Sequence, residues 1–170
     1  HFQFNLQDDR KVVFDSLTNR SDISWTLSNA HGTIASSVFS STENGGVYDL
    51  GAGNYTLTVS GSADAVGAYA LRIVDAQSAA PIANDQDVTG TLQHGNDTAV
   101  YGFDAMAGQK FSFATTALAA NTQATWRLID PNGQIELNGG SMNATTSGFT
   151  TRLSGQYLLL VDGPQSNTGP

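Results

Sequence analysis

GAGNYTLTV, at Gly51–Val59, is the segment from which the architecture of this chain can be worked out. A degenerate copy, LSGQYLLLV, returns at Leu153–Val161. In both copies a glycine turn leads into a strand whose alternate residues share one face, because strand side chains alternate with a period of two. Tyr55, Leu57 and Val59 form this face in the first copy. We therefore predict that the chain contains two copies of one structural unit.

Four further landmarks recur in the same order and at nearly constant spacing, which is the signature of a duplication. They are Phe2–Phe4 with Tyr101–Phe103, Lys11–Phe14 with Lys110–Phe113, Ser24–Leu27 with Thr125–Leu128, and Asn29–Gly32 with Asp130–Gly133. Most of these segments alternate apolar and polar residues, as half-buried strands do. The sequence therefore predicts an all-β chain of two tandem units related by an internal repeat, residues 1–79 and 80–170.

The two units do not match at their ends. Unit 2 has a leading strand, predicted at Val88–Leu92, without a counterpart before His1, and Ala76–Asp87 reads as the linker between the units. Unit 1 has a trailing strand, predicted at Ala68–Val74, without a counterpart after Pro170. Both ends are expected to continue in a longer protein. The edges would then be unpaired, paired by neighbouring copies, or shared between the units.

The composition excludes several classes of partner. The chain has 170 residues and a formal charge of -8, from 15 acidic and 7 basic residues. Nucleic acid and acidic membrane surfaces would be repelled by such a surface. No apolar run approaches the ~18 residues of a membrane span, so membrane insertion is not expected. The absence of cysteine excludes disulfides and thiolate sites.

Catalytic chemistry finds little support in the sequence. The three histidines, His1, His31 and His94, do not occupy equivalent positions in the two units. A hydrolase would require His31 or His94 within hydrogen-bond reach of a serine and an aspartate. Trp25 and Trp126 recur at matching positions among alternating residues, which predicts core side chains rather than platforms for sugar stacking. We predict that the chain is not an enzyme.

With these segments identified, the chain resembles tandem bacterial pre-peptidase C-terminal (PPC) domains. The resemblance is carried by the aromatic strands Phe2–Phe4 and Tyr101–Phe103, by FDSL at Phe14–Leu17, by the tryptophan strands and by Leu50–Val59. It implies compact antiparallel β-sandwiches of jelly-roll type, without catalytic activity. Such domains are appended to secreted hydrolases or arrayed in very large bacterial surface proteins. Some relatives look like collagen- or glycan-binding modules, and some bind calcium near the start of the domain.

This resemblance places a calcium site at the start of unit 2. Its oxygen ligands would be Asp85, Asp87, Asn96 and Asp97. Calcium takes six to eight oxygen ligands, which aspartates and loop carbonyls supply. The alternative is a solvated linker whose aspartates cap turns.

Three aromatic residues flank the variable loops without strict periodicity and are candidates for binding a glycan or peptide. They are Phe39, Tyr48 and Phe149. Packing beneath a long loop is the alternative for each. A further contrast lies in the duplicated strand, where Thr56 and Thr58 correspond to Leu158 and Leu160. These two leucines predict an interface with unit 1, with the surroundings of the missing trailing strand or with another protomer.

The combined expectation is a module secreted or displayed on the bacterial cell surface. It would serve as a spacer or as a glycan- or peptide-binding unit of a larger, adhesin-like protein, next to further domains. The alternative is a substrate-targeting or secretion-assisting appendage of a secreted protease or polysaccharide-degrading enzyme. A neighbouring catalytic domain in the gene would favour the appendage, and further copies of the landmarks would favour the array.

Overall fold

The computed structural model describes residues 1–40, 46–93, 96–117, 123–142 and 148–163. The strands in the first half of the chain are β1 (Phe2–Leu6), β2 (Arg10–Ser16), β3 (Ile23–Asn29), β4 (Gly32–Val38), β5 (Val47–Leu50), β6 (Gly53–Gly61) and β7 (Leu71–Asp75). A 3-10 turn at Ala76–Ser78 follows. The strands in the second half are β8 (Ala80–Pro81), β9 (Thr98–Ala105), β10 (Lys110–Phe111), β11 (Thr125–Ile129), β12 (Ile135–Ser141), β13 (Phe149–Thr150) and β14 (Gly155–Asp162).

These elements form two compact units. Unit 1 is built mainly from His1–Gln77, and unit 2 from Ser78–Gln93 and Asp97–Pro164. Each unit contains two β-sheets, and all strand pairs but one are antiparallel among the described residues. The predicted all-β fold of two tandem sandwiches is confirmed.

Unit 1 buries its core between a sheet of order β1-β6-β3-β4 and a sheet of order β5-β2-β7. The first sheet contributes Trp25 and Leu57, and the second contributes Val12 and Phe14. The ring of Phe14 stacks on that of Trp25 with the centroids 4.7 Å apart. Trp25 is only 3 % exposed, so its predicted place in the core is confirmed. Two aromatic rings from facing sheets thus fill the space between the layers.

Unit 2 repeats this plan with a sheet of order β12-β11-β14-β9-β8 and a small sheet formed by β10 and β13. Trp126, Leu128 and Tyr157 of the large sheet form the core, and Phe111 and Phe149 pack against them from the small sheet. Trp126 is 4 % exposed, which confirms the prediction for the second tryptophan. The exceptional parallel pair joins β8 to β9.

Strand register shows that the two tryptophans are equivalent. Trp25 pairs with Val59, and Trp126 pairs with Val161. Both valines lie at the same place in the duplicated segment, four residues after its tyrosine. The internal repeat inferred from the sequence is therefore present in the pairing of the strands.

The duplicated tyrosine explains why the motif is retained in both units. The hydroxyl of Tyr55 donates a hydrogen bond to the carbonyl of Gly51 over 2.7 Å, and that of Tyr157 donates to the carbonyl of Leu153 over 3.1 Å. Each bond ties a strand to the loop four residues upstream, in the manner of a tyrosine corner. The ring remains in the core while its hydroxyl is satisfied, since a buried hydroxyl without a partner would be costly.

The glycine between loop and strand has a backbone reason. Gly53 has a φ of 150° and Gly155 a φ of 140°, both in the region that favours glycine. At Gly155 a Cβ atom would also lie 3.1 Å from the side chain of Pro131. The G-x-Y spacing of the motif thus combines a turn that requires glycine with the tyrosine that fastens it.

The leading strand of unit 2 lies elsewhere than predicted. Val88–Leu92 forms no strand, and the pairing is made instead by β8, within the segment predicted as a linker. Ile82 extends this contact, because its N–H donates to the carbonyl of Gly102 over 2.8 Å. Pro81 is tolerated here because β8 is the outermost strand of its sheet. The trailing strand of unit 1 is observed as β7, antiparallel to β2.

Candidate functional site

Phe39, one of the three predicted binding aromatics, is a core residue. Its side chain is 1 % exposed and belongs to the hydrophobic core of unit 1. Its ring packs edge-on against Tyr69 with the centroids 5.7 Å apart. The prediction of a surface aromatic is therefore wrong at this position, because the short segment after β4 turns the ring inward.

Tyr48 and Phe149 are half-buried, and their rings are used in packing. Tyr48 meets Phe14 edge-on at 5.6 Å, and Phe149 stacks on Phe113 at 5.9 Å. Tyr48 lies in β5 and Phe149 in β13, each an outer strand of its sheet. The loop sequences beside these short strands hide the alternation of apolar and polar residues that would have indicated inward-facing side chains. The alternative interpretation, packing rather than binding, describes all three aromatics.

The predicted calcium ligands do not form a cluster of acidic groups. Within the described ranges no three His, Asp or Glu side chains come together as a group that could hold a metal ion. Asp97 is 6 % exposed, and its carboxylate accepts a hydrogen bond from the N–H of Gln93 over 2.9 Å. Asp85 and Asp87 are exposed in a segment without strands, and Asn96 lies in a turn beside Asp97. Calcium binding stays a prediction.

The histidines are not assembled with catalytic partners that the structure describes. His31 lies in the exposed turn between β3 and β4, where its N–H donates to the Asn29 side chain over 2.9 Å. The Nδ1 of His1 lies 2.8 Å from the hydroxyl of Thr58. His94 lies outside the described residues. The absence of catalytic activity also stays a prediction.

Buried charges in both units serve cross-strand pairing. Asp15, whose side chain is 2 % exposed, lies 2.7 Å from the Nε of Arg72 on the neighbouring strand. Arg127 binds both carboxylate oxygens of Asp162 over 2.9 and 3.0 Å. Charged groups taken out of water require such partners, so these pairs have a structural explanation.

The solvent side of the β1-β6-β3-β4 sheet is a surface that the sequence analysis did not assemble. Inward-facing residues alternate with outward-facing ones along β3 and β6, as the core positions Trp25, Leu57 and Tyr55 show. The outward residues of the sheet, which we call the uncharged face, are Gln3, Asn5, Ser24, Thr26, Ser28, Thr33, Ser36, Val38, Asn54, Thr56, Thr58 and Ser60.

Strand pairing sets these residues out in rows. Thr26 of β3 lies directly between Thr58 of β6 and Ser36 of β4. Ser24 lies between Ser60 and Val38 in the next row. Neighbouring strands are about 4.8 Å apart, and successive outward residues of one strand are about 6.6 Å apart. The rows therefore form a grid of small side chains that carry hydroxyl groups, apart from Val38.

Amide side chains continue the uncharged face towards the edge strand β1. Asn5 and Asn54 are paired across β1 and β6, and the amide of Asn5 donates to the side-chain oxygen of Asn54 over 2.9 Å. The hydroxyl of Ser28 donates to the carbonyl of Thr56 over 3.4 Å. A hydroxyl that donates in this way keeps its lone pairs for an incoming donor. The face thus offers donors and acceptors whose orientation is partly set by the sheet.

The corresponding surface of unit 2 is different. Leu158 and Leu160, which replace Thr56 and Thr58, are both fully buried within the chain. No exposed leucine patch is left there for a second protomer, so that part of the predicted interface is wrong. Arg127 and Ile129 on the adjacent strand are buried as well. Of the two equivalent surfaces, only that of unit 1 is both polar and accessible.

Comparison with known proteins does not assign the chain to a family. No model of a known protein family matches the chain, and no curated protein sequence matches it significantly. The resemblance to PPC domains therefore stays a prediction. In the ranges that the structure describes, no helix has the length and apolar character needed to cross a membrane.

Proposed function

We propose that the chain is a non-catalytic module of a larger secreted or cell-surface bacterial protein, and that it binds a neutral glycan through the uncharged face of unit 1. The observation that carries this proposal is the composition of that face. Its twelve outward residues include no Asp, Glu, Lys or Arg, in a chain with 22 charged residues by the count of 15 acidic and 7 basic. The imidazole of His1 lies at the border of the face, with its Nδ1 2.8 Å from the hydroxyl of Thr58.

The chemistry of the face favours a neutral sugar polymer. Serine, threonine, asparagine and glutamine each offer both donors and acceptors, which match the hydroxyl groups of a sugar. An anionic glycan would be repelled by the net charge of -8, whereas a neutral one would not. Small side chains in rows make a flat surface, which suits an extended polymer better than a small ligand that requires a pocket.

Binding to a panel of neutral, anionic and amino-sugar glycans, immobilised on an array, tests the proposal. We expect retention on neutral polysaccharides, measured in calcium-containing buffer and again with a chelator to include the predicted calcium site. The variant Thr26→Lys places a charge at the centre of the face. It should weaken retention by about tenfold or more, since a desolvated charge without a partner costs more than about 1.4 kcal/mol.

A matched control carries the same change elsewhere. Thr89 is exposed in the strandless segment of unit 2, and Thr89→Lys should leave retention unchanged. Melting temperatures of both variants show whether each remains folded. Equal binding by wild type, Thr26→Lys and Thr89→Lys would remove the uncharged face from consideration. Binding confined to peptides on a parallel peptide array would contradict the glycan assignment.

A further inference from the structure

The small sheet of unit 2 has one strand fewer than its counterpart in unit 1. In unit 1, β2 lies between β5 and β7. In unit 2, β10 pairs with β13, and no described residue pairs with the opposite edge of β10. We call this opposite edge the open edge. In unit 1 this position is filled by β7, and no described strand of unit 2 is its equivalent.

Strand register shows which residues of β2 and of the segment at β10 are equivalent. Val12 pairs with Tyr48 in unit 1, and Phe111 pairs with Phe149 in unit 2. Two residues further on, the ring of Phe14 stacks on Trp25, and the ring of Phe113 lies 5.5 Å from Trp126. Position 14 of unit 1 therefore corresponds to position 113 of unit 2, and β7 would align with residues 111–115.

Side chains next to the open edge are less covered than their counterparts. Val12 is 3 % exposed and Phe14 2 % exposed, whereas Phe111 and Phe113 are only half-buried. In unit 1 the cover is completed by Leu71 and Ile73 of β7, which pack against the core. An added strand in unit 2 would bury the two phenylalanine rings in the same way, and burial of apolar surface favours its binding.

Backbone N–H and C=O groups are also available for hydrogen bonding at the open edge. The carbonyl of Gln109 accepts a hydrogen bond from the N–H of Thr151 over 2.9 Å, on the side of β13. β10 ends at Phe111. Because successive residues of a strand direct their N–H and C=O to opposite edges, an extension of β10 would direct the groups of Ser112 and Ala114 to the open edge. In unit 1 the corresponding side is used by β7, where Leu17 donates to the carbonyl of Ala70 over 3.0 Å.

We propose that the open edge of β10 accepts an extended peptide strand, antiparallel to residues 111–115, with branched apolar residues at alternate positions as in LRIVD of β7. The strand would complete the second sheet of the sandwich by β-augmentation. A basic residue is not required between the apolar ones. Arg72 of β7 pairs with the buried Asp15, but the equivalent of Asp15 is Ala114.

A synthetic peptide with the sequence of Ala68–Asp75, AYALRIVD, is the probe. We expect saturable one-to-one binding to the 170-residue chain by fluorescence anisotropy, and new protection from hydrogen exchange at Ser112 and Ala114. The peptide variant Val74→Pro should bind at least about tenfold more weakly, because Val74, opposite Val13 in unit 1, directs its N–H to the neighbouring strand and proline removes that ladder hydrogen bond. The peptide variant Arg72→Ser should bind as well as the parent peptide.

Two variants of the protein separate the open edge from other sites. Ser112→Pro deletes an N–H that faces the open edge and leaves the pairing of β10 with β13 in place, so it should abolish binding. Ser112→Ala keeps the N–H and should bind normally. Absence of saturable binding would overturn the proposal. So would protection that appears at β1 or β4 instead, or full protection of Ser112 before any peptide is added.

Discussion

The strands β2 and β10 occupy the same place in the two units, yet they differ in length and in burial. β2 runs for seven residues, and its last five are buried. β10 runs for two residues, and the chain after it is exposed or half-buried. The sequence KFSFAT, at Lys110–Thr115, nevertheless alternates more regularly than KVVFDS, at Lys11–Ser16. The length of a strand is therefore set here by its neighbours, because β2 has β7 beside it and β10 does not.

The largest expected effect comes from removing the two tryptophans, which hold equivalent positions in unequal surroundings. Trp25→Ala should lower the free energy of unfolding of unit 1 by about 3–5 kcal/mol, as for other large core truncations. Trp126→Ala should cost less, because its neighbour Phe113 is already half-exposed. Urea unfolding, followed by hydrogen exchange in β3 and in β11, measures the two units separately. Equal losses would contradict the idea that unit 2 is less completely covered.

A smaller effect is expected from the ion pair that joins β2 to β7. Arg72→Met leaves the carboxylate of Asp15 buried without this guanidinium. We expect a loss of about 2–3 kcal/mol, at the low end for a buried pair because Arg72 is 40 % exposed. Urea unfolding, followed by hydrogen exchange in β3, measures this change in the free energy of unfolding of unit 1.

The matched control imitates unit 2, which has Ala114 in place of Asp15. The double variant Asp15→Ala with Arg72→Met should recover most of the lost stability, since no buried charge remains. If the double variant is no more stable than Arg72→Met alone, then the cost lies in packing of the arginine stem rather than in the uncompensated charge.

The smallest effect concerns Arg20 and Asp22, in the connection between β2 and β3. The hydrogen bond from Arg20, with Nη2 2.6 Å from the Asp22 carboxylate, lowers the pKa of Asp22, and Arg20 also donates to the carbonyl of Val66 over 3.0 Å. Because the pKa is lowered on folding, the pair stabilises the protein above the ordinary aspartate value of 3.8, and this contribution is lost as pH falls through the lowered value.

Asp22→Asn should therefore lower the melting temperature slightly at neutral pH, and the difference from wild type should disappear in acid. Thermal scans across the range from about pH 7 to about pH 2 measure this. The control makes the same change in an Arg20→Gln background, which lacks the guanidinium that binds Asp22, and it should show no such pattern. A difference between Asp22→Asn and wild type that grows in acid would mean that folding raises the pKa of Asp22 instead of lowering it.

The duplication was predictable because it rests on local signals. A glycine turn, a tyrosine and alternating apolar residues are visible in one segment, and Trp25 and Trp126 can be matched by counting. The leading strand was not predictable in the same way. Val88–Leu92 has an alternating pattern but pairs with no strand that the structure describes. By contrast, β8 contains Pro81, which strand propensity penalises and an outermost strand tolerates.

The candidate site was hidden for a related reason. Thr56 and Thr58 indicate a solvated face of one strand, but the uncharged face exists only when β1, β3, β4 and β6 are placed side by side. Sheet order depends on contacts between distant segments, which no local pattern contains. The prediction for Phe39 was wrong because an aromatic beside a loop has no period from which its direction can be inferred.

The strand β4 has a practical consequence for anyone who handles this protein. Gly32–Val38 is the last strand of its sheet and contains neither a charge nor a proline. The outermost strand β12 of unit 2 carries Glu136, and its pairing has two register irregularities against one for β4. Molecules with a net charge of -8 stay apart in dilute solution, but added salt shortens the reach of that repulsion. We therefore expect concentrated samples at high salt to associate through the edge of β4, and the substitution Ser37→Lys to prevent this aggregation.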